Sequence, residues 1–101
     1  MIKENSQSIC DWGDSAFGKA DNLKAYAIRA QEELQELIEA IDASETEEEI
    51  VAEAADVTIL LHRLVGTIGL DLYSAVDKKM AINRQRQWAK DGNGTGRHIK
   101  R

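Results

Sequence analysis

The sequence of 101 residues contains no proline, and its seven glycines lie in three short groups near residues 13–18, 66–69 and 92–96. Proline and glycine interrupt helices most strongly, so the long stretches without either favour helix. No apolar run approaches the roughly 20 residues that a membrane-spanning helix needs. The N-terminus also lacks a signal-peptide pattern. The sequence therefore predicts an all-α, water-soluble fold with no membrane partner.

Cysteine is nearly absent as well. Cys10 is the only one, which excludes an internal disulfide and is typical of a reducing, cytoplasmic compartment. A lone cysteine is also a poor basis for a metal site, so we interpret Cys10 as a small, half-buried residue.

Positive charge is missing from the middle of the chain. Residues 30–60 contain eleven Asp or Glu and no Lys or Arg, whereas residues 78–101 contain eight Lys or Arg and a single acid, Asp91. The two segments are either solvated faces that attract each other, or a metal cradle that faces a basic segment holding an anionic substrate. The acidic middle opposes nucleic-acid binding by the basic segment, so no nucleic-acid partner is expected.

Apolar residues recur at three- and four-residue intervals, which predicts four helices. A short helix ends near Gly18, and a long one covers residues 22–42 with Asp21 as N-cap. The next begins after Ser44, which would form a capping box with Glu47, and ends near residues 66–69. The last begins at Asp71 and continues past residue 88 to the glycines at 92–96.

Short connections between these helices predict a compact four-helix bundle. We expect a single domain over residues 1–101, with residues 91–101 as a mobile tail. Each helix has apolar positions around much of its circumference, and one small protomer cannot cover them all. A homodimer or homotetramer that shares a helical core is therefore expected.

Two consecutive predicted helices each carry an acidic pair, Glu33 with Glu36 and Glu53 with Asp56. This spacing puts both carboxylates of a pair on one side of a helix. A helical hairpin would bring the four together, and four negative charges repel strongly unless a cation lies between them. Oxygen ligands without Cys or His suit Mg²⁺, with Mn²⁺ as a substitute.

Glu53 is the acid that most needs such a cation. At about 100° per residue it lies roughly 50° from the centre of the apolar stripe of its helix. A di-iron bundle would require Glu-x-x-His, but Ile59 stands three residues before His62, which argues against iron. The alternative to a metal site is a solvated acidic surface, because acids make up nearly half of residues 32–56.

Four segments resemble a known family. Glu32-Glu33-x-x-Glu36, a gap of sixteen residues and Glu53-x-x-Asp56 resemble the signature of the all-α nucleoside triphosphate pyrophosphohydrolases, the MazG-like proteins and their dCTP- and dUTP-hydrolysing relatives. Lys79-Met80-x-x-Asn83-x-x-Arg86 is similar to the last core helix of that family. The stretch from Trp12-Gly13 to Phe17-Gly18 and the tail Gly94-x-Gly96-x-His98 are similar to small single-domain MazG-type proteins.

The resemblance implies a MazG-like four-helix bundle that hydrolyses a nucleoside triphosphate to the monophosphate and pyrophosphate. It implies that the four paired acids bind Mg²⁺ and that Glu32 is catalytic, activating the attacking water or helping to hold a further metal. It also implies a role in nucleotide-pool house-cleaning with a preference for deoxynucleotides such as dCTP or dATP.

The remaining expectations concern substrate contacts. Lys79 and Arg86 are candidates for the phosphates and Asn83 for a sugar hydroxyl or base edge; the alternative is an exposed basic helix face. Trp12 and Phe17 either stack on the base or belong to the core. The tail residues His98, Lys100 and Arg101 either fold over the phosphates or stay mobile.

The sequence is also compatible with two other functions. A non-enzymatic helical adaptor or antitoxin-like protein would explain the amphipathic helices but not the position of Glu53. A protein that binds nucleic acid through its basic tail would show salt-sensitive DNA binding that survives neutralisation of the acid pairs.

Overall fold

The computed structural model describes residues 2–99. Its elements are α1 (Ser6–Phe17), α2 (Leu23–Asp42), α3 (Glu47–Thr67), α4 (Leu72–Gln85), and a hairpin of β1 (Trp88–Lys90) and β2 (Gly96–His98). The four helices that the apolar periodicity predicts are confirmed, and so is the all-α class.

Two of the predicted helix starts are wrong by one or two residues. Asn22, not Asp21, caps α2, and Thr46, not Ser44, caps α3; each side chain accepts a backbone N–H from three residues further along. Ser44 has a φ of 55°, a left-handed conformation that differs from the extended one of an N-cap. Asp71 caps α4 as predicted.

The last helix is shorter than predicted. It ends at Gln85, and Trp88 lies in β1, paired with His98 of the antiparallel β2. The indole Nε1 of Trp88 donates to the Asn83 carbonyl oxygen at 2.8 Å. The last carbonyls of a helix lack a partner within the helix, so this bond stabilises the end of α4 at that point.

The centre of the fold is the antiparallel pair of α2 and α3. The start of α2 lies beside the end of α3, so that Tyr26 has its ring centroid 5.0 Å from the guanidinium carbon of Arg63. Glu33, two turns further along α2, correspondingly lies beside Glu53 and Asp56 in the first half of α3. The antiparallel packing thus brings the two acidic pairs to the same level of the hairpin.

The helix α1 packs closely on the C-terminal half of α3. A Cβ added to Gly66 would lie 2.6 Å from the carbonyl oxygen of Ser6 and 2.7 Å from Cβ of Cys10, so only glycine permits this approach. Cys10 is 4% exposed, more deeply buried than expected, and its Sγ lies 3.6 Å from Oγ1 of Thr67.

A buried polar network joins three helices. Ser6 Oγ accepts the Leu72 backbone N–H at 2.7 Å and lies 2.8 Å from Nδ1 of His62. The Ser6 backbone N–H donates to Oδ1 of Asp71 at 2.9 Å. Ser6 and His62 are fully buried, so this network links α1, α3 and the start of α4, and the Ser6 hydroxyl has no access to a substrate.

Few apolar side chains are buried within one protomer. The buried apolar residues among those described are Cys10, Tyr26, Ala30 and Ala40. Large apolar side chains stay exposed along α2 and α3, namely Ile28, Leu34, Ile38, Ile41, Val51 and Leu61. One protomer therefore leaves an apolar face uncovered, as the periodicity predicts.

No single helix within residues 2–99 is long and apolar enough to cross a membrane. Taken together, α3 and α4 are long and apolar enough to cross a membrane by length and composition alone, as a pair bent by 98°.

The buried His62 makes stability depend on pH. Burial lowers its pKa, and the nearby Asp71 carboxylate opposes that shift. The unfolded chain then binds a proton more readily than the folded one, so the free energy of unfolding should decrease as pH falls from about 6.5 toward the lower folded pKa. Urea unfolding followed by circular dichroism between pH 8 and 5.5 measures this decrease.

The variant His62→Gln should lose this part of the pH dependence, because glutamine does not titrate. Subtracting the unfolding free energy of the variant from that of wild type at each pH leaves the contribution of His62. His98→Gln removes the other histidine and should keep the full dependence. A wild-type slope in the His62→Gln protein would contradict the assignment.

Candidate metal centre

Three carboxylates meet between α2 and α3. Glu33, Glu53 and Asp56 each offer one oxygen, and these oxygens lie within 4.8 Å of one another. Glu36 lies one turn along α2 from Glu33. The Glu33 carboxyl raises the pKa of Glu36, as hydrogen-bond partner and as negative charge, and burial and the charge of Glu53 add to the rise. Glu36 thus interacts electrostatically with two members of the cluster, Glu33 and Glu53.

The three clustered carboxylates differ in burial and in partners. Glu33 is 8% exposed. It is more deeply buried than Glu53, the acid that the helical wheel places close to the apolar stripe of its helix. Arg29 compensates Glu33, with Nη2 of the arginine 2.6 Å from Oε1 of the glutamate. Glu53 is half-buried, and its Oε2 is buried without a hydrogen-bond partner among the described residues. Glu53 therefore remains the acid that most needs a cation.

The donor set fits a hard divalent cation. Carboxylate oxygens are the ligands of Mg²⁺ and Mn²⁺, whereas zinc and copper favour His and Cys. Within residues 2–99 the cluster contains only Glu and Asp. A cation would satisfy Oε2 of Glu53, which has no partner among the described residues, and would offset the negative charge of the clustered acids.

A cleft of about 490 Å³ opens beside these acids. Its lining consists of Trp12, Phe17, Arg29, Glu33, Asp56, Ile59, Leu60 and Arg63. Trp12 and Phe17 form an edge-to-face pair with ring centroids 5.5 Å apart, and they are 58% and 72% exposed. They are therefore not core residues of the protomer, and they lie beside two of the predicted metal ligands.

Comparison with known proteins identifies the family. No family model matches the chain. A solved structure of the MazG-like pyrophosphohydrolase of cyanophage S-2L, bound to dGDP and three catalytic Mn²⁺ ions per active site, is similar with a TM-score of 0.70 and 32% identity. The similarity covers 94% of this chain and 93% of that one. The chain belongs to the MazG-like pyrophosphohydrolases.

Two curated phage proteins, both called dATP/dGTP diphosphohydrolase, are also similar to this MazG-like chain. The one from cyanophage S-2L is 49% identical over 47 residues, which make up 46% of this chain and 45% of that protein. The one from Salmonella phage PMBT28 is 36% identical over an alignment 101 positions long, which covers 97% of this chain and 31% of that protein. The chain thus spans less than half the length of these two relatives.

Glu32, the first acid of the MazG-like signature, lies apart from the cluster. Its side chain is exposed, and its Oε2 lies 3.3 Å from Nη1 of Arg29. This position agrees with the helical wheel, which places Glu32 opposite the apolar stripe. The catalytic role implied by the resemblance stays a prediction.

The basic residues of α4 do not line the cleft within residues 2–99. Lys79 is exposed, whereas Asn83 and Arg86 are half-buried, and Oδ1 of Asn83 is buried without a partner in the part of the chain that the structure describes. Their predicted contacts with phosphates and sugar stay untested. His98 lies in β2, with its ring centroid 5.7 Å from that of Trp88. The predicted roles of Lys100 and Arg101 fall outside the described residues.

Sequence reasoning missed two arginines of this MazG-like site. Arg29 precedes Glu33 by four residues, a spacing that itself signals an ion pair on a helix. Arg63 is the first Lys or Arg after Glu53 on its helix, but it lies 3.5 Å from Oδ1 of Asp14 on α1. No local pattern predicts that contact, because the two residues are far apart in sequence.

Mn²⁺ should stabilise the folded chain. A ligand that binds only the folded state adds about 2.7 kcal/mol to the free energy of unfolding at 100 times its Kd. Differential scanning fluorimetry with and without Mn²⁺ should show a higher Tm for the wild type and little or no shift for Glu53→Gln.

The matched control is Glu48→Gln, an exposed glutamate in the first turn of the same helix. It should keep the wild-type Mn²⁺ shift. A full shift in Glu53→Gln would exclude Glu53 as a ligand.

Proposed function

We propose that this MazG-like chain is a divalent-metal-dependent nucleoside triphosphate pyrophosphohydrolase. The observation that supports it best is the cluster of Glu33, Glu53 and Asp56 within 4.8 Å, with a buried oxygen of Glu53 that has no partner. The names of the relatives, pyrophosphohydrolase and diphosphohydrolase, agree with this reaction. The product would be the nucleoside monophosphate, with pyrophosphate as the leaving group.

The acids that would hold Mg²⁺, or Mn²⁺ in its place, are Glu33, Glu36, Glu53 and Asp56. Mn²⁺ in the cyanophage S-2L neighbour supports a divalent ion of this kind. Such an ion supplies charge neutralisation at the phosphates and lowers the pKa of a bound water. Without it, the negative charges of the acids would repel a triphosphate.

The other residues of the cleft would bind and orient the nucleotide. Trp12 and Phe17 offer exposed aromatic surface for the base, and Arg29 adds positive charge beside the acids. The resemblance implies that Glu32 either activates the attacking water or helps to hold a further metal. It likewise assigns phosphate and sugar contacts to α4, through Lys79, Asn83 and Arg86.

A deoxypurine triphosphate is the substrate class that the relatives favour. Two of them are named for dATP and dGTP, and the solved neighbour holds dGDP. Of the two nucleotides expected from the sequence, this supports dATP over dCTP. House-cleaning of the nucleotide pool in the cytoplasm is the cellular role that we propose for such an activity.

A screen of all standard ribo- and deoxynucleoside triphosphates with Mg²⁺ and pyrophosphate detection tests the proposal. Glu53→Gln should lower turnover by more than about 100-fold, because even residues that only support metal ligands cost about 10- to 100-fold. Glu48→Gln should keep the wild-type rate.

Two results would contradict this function. Retained turnover in Glu53→Gln would exclude the metal assignment. A wild-type chain that binds neither Mn²⁺ nor a non-hydrolysable deoxynucleoside triphosphate in calorimetry would favour the helical adaptor instead.

We also propose that the chain assembles as a homodimer or homotetramer through the exposed apolar face of α2. Leu34, Ile38 and Ile41 follow one another at helical spacing on that face. Sedimentation equilibrium should give the mass of an oligomer. Ile41→Glu should shift it toward the monomer, whereas Glu39→Gln, an exposed neighbour, should not. A monomeric wild type would exclude the assembly.

A further inference from the structure

Arg63 is a buried cation that connects α3 to the end of α1. The residue is 7% exposed. Its Nη2 donates to the Gly18 carbonyl oxygen at 3.1 Å and lies 3.5 Å from Oδ1 of Asp14. Its guanidinium carbon lies 5.7 Å from the ring centroid of Phe17 and 5.0 Å from that of Tyr26. The side chain thus contacts the last turn of α1, Gly18 directly after it, and Tyr26 of α2.

Gly13 makes room for this side chain. A Cβ added at Gly13 would overlap Nε of Arg63 and would lie 2.6 Å from its Cζ and 2.7 Å from its Cδ. Gly13 is itself buried within α1. The guanidinium therefore occupies the space that a side chain on α1 would otherwise fill.

Stability alone does not account for a buried arginine in this position. Its Nε is buried without a hydrogen-bond partner among the described residues, and its one carboxylate contact is long. Burying a charge costs several kcal/mol, and an apolar side chain of similar volume is often as stable or more so. The contacts of Arg63 instead have a consequence at the cleft, because Phe17 is the last residue of α1 and lines it.

We propose that Arg63 is a positioning residue for substrate binding, which holds the last turn of α1 so that Trp12 and Phe17 form the wall of the cleft beside Glu33 and Asp56. This inference rests on the proposed function. An aromatic wall that is ordered before the substrate arrives avoids the entropy cost of ordering it on binding. Because the wall faces the base and not the reacting phosphate, its loss should raise KM and leave kcat nearly unchanged.

Two variants disturb Arg63 by independent routes. Arg63→Met keeps the apolar stem and removes the guanidinium, whereas Gly13→Ala keeps the charge and displaces it. Both should raise KM about 10-fold with kcat within about twofold of wild type, and Arg63→Lys should restore part of the loss. Arg84→Met and Ser15→Ala, at exposed positions on α4 and α1, are the controls and should keep the wild-type KM.

A second measurement needs no turnover. In a Trp88→Phe background, Trp12 is the remaining tryptophan, and acrylamide should quench its fluorescence more strongly in Arg63→Met and Gly13→Ala than in their parent. The Mn²⁺ shift of Tm should stay that of wild type, which shows a folded chain with an intact metal site. If one variant does not fold, the other provides the test.

The outcomes separate the two proposals. A wild type without activity on any triphosphate overturns the proposed function. An unchanged quenching constant of Trp12, or a fall in kcat with KM unchanged, overturns the positioning role of Arg63 while leaving the metal-dependent hydrolysis in place.

Discussion

The antiparallel contact between α2 and α3 is the constraint on which the site depends. It places Glu33 of one helix beside Glu53 and Asp56 of the other, at a distance where three negative charges repel. A hydrogen bond with Glu33 and the charges of Glu33 and Glu53 raise the pKa of Glu36, and Oε2 of Glu53 is buried without a partner among the described residues. Helix packing elsewhere must outweigh the repulsion, and a divalent cation would relieve it. The protein therefore concentrates an unfavourable interaction where we propose that the metal binds.

Polar contacts at both ends of α1 connect it to this helical pair. Among residues 2–99, the buried apolar side chains are few, and all are small or aromatic. The network around Ser6 and His62 connects one end of α1 with α3 and α4, and Arg63 connects the other end. Since α1 carries Trp12 and Phe17, these connections also determine where the aromatic wall of the cleft lies. Stability of α1 and the geometry of the proposed nucleotide site thus depend on the same residues.

Much of the fold and of the metal centre was predictable, because both are encoded locally. Apolar residues at helical spacing identify the helices, and acids three residues apart identify the two faces that meet. The departures arise where two local signals compete. Ser44 and Thr46 are both acceptable caps, and the backbone turn at Ser44 decides between them. Trp88 continues an apolar spacing, but its hydrogen bond to the Asn83 carbonyl oxygen and its pairing in a hairpin end the helix before it.

The sequence by itself determined the four helices, the spacing of the acid pairs and the resemblance to the MazG-like proteins, since each depends on residues close together in the chain. Only the tertiary structure decided that Glu33 is the deepest acid, that Arg29 compensates it, and that Arg63 lies against Asp14 instead of Glu53. These outcomes depend on how α1 and α2 lie on α3. Contacts between residues some fifty positions apart, such as Asp14 with Arg63, follow from packing and have no signature in local pattern.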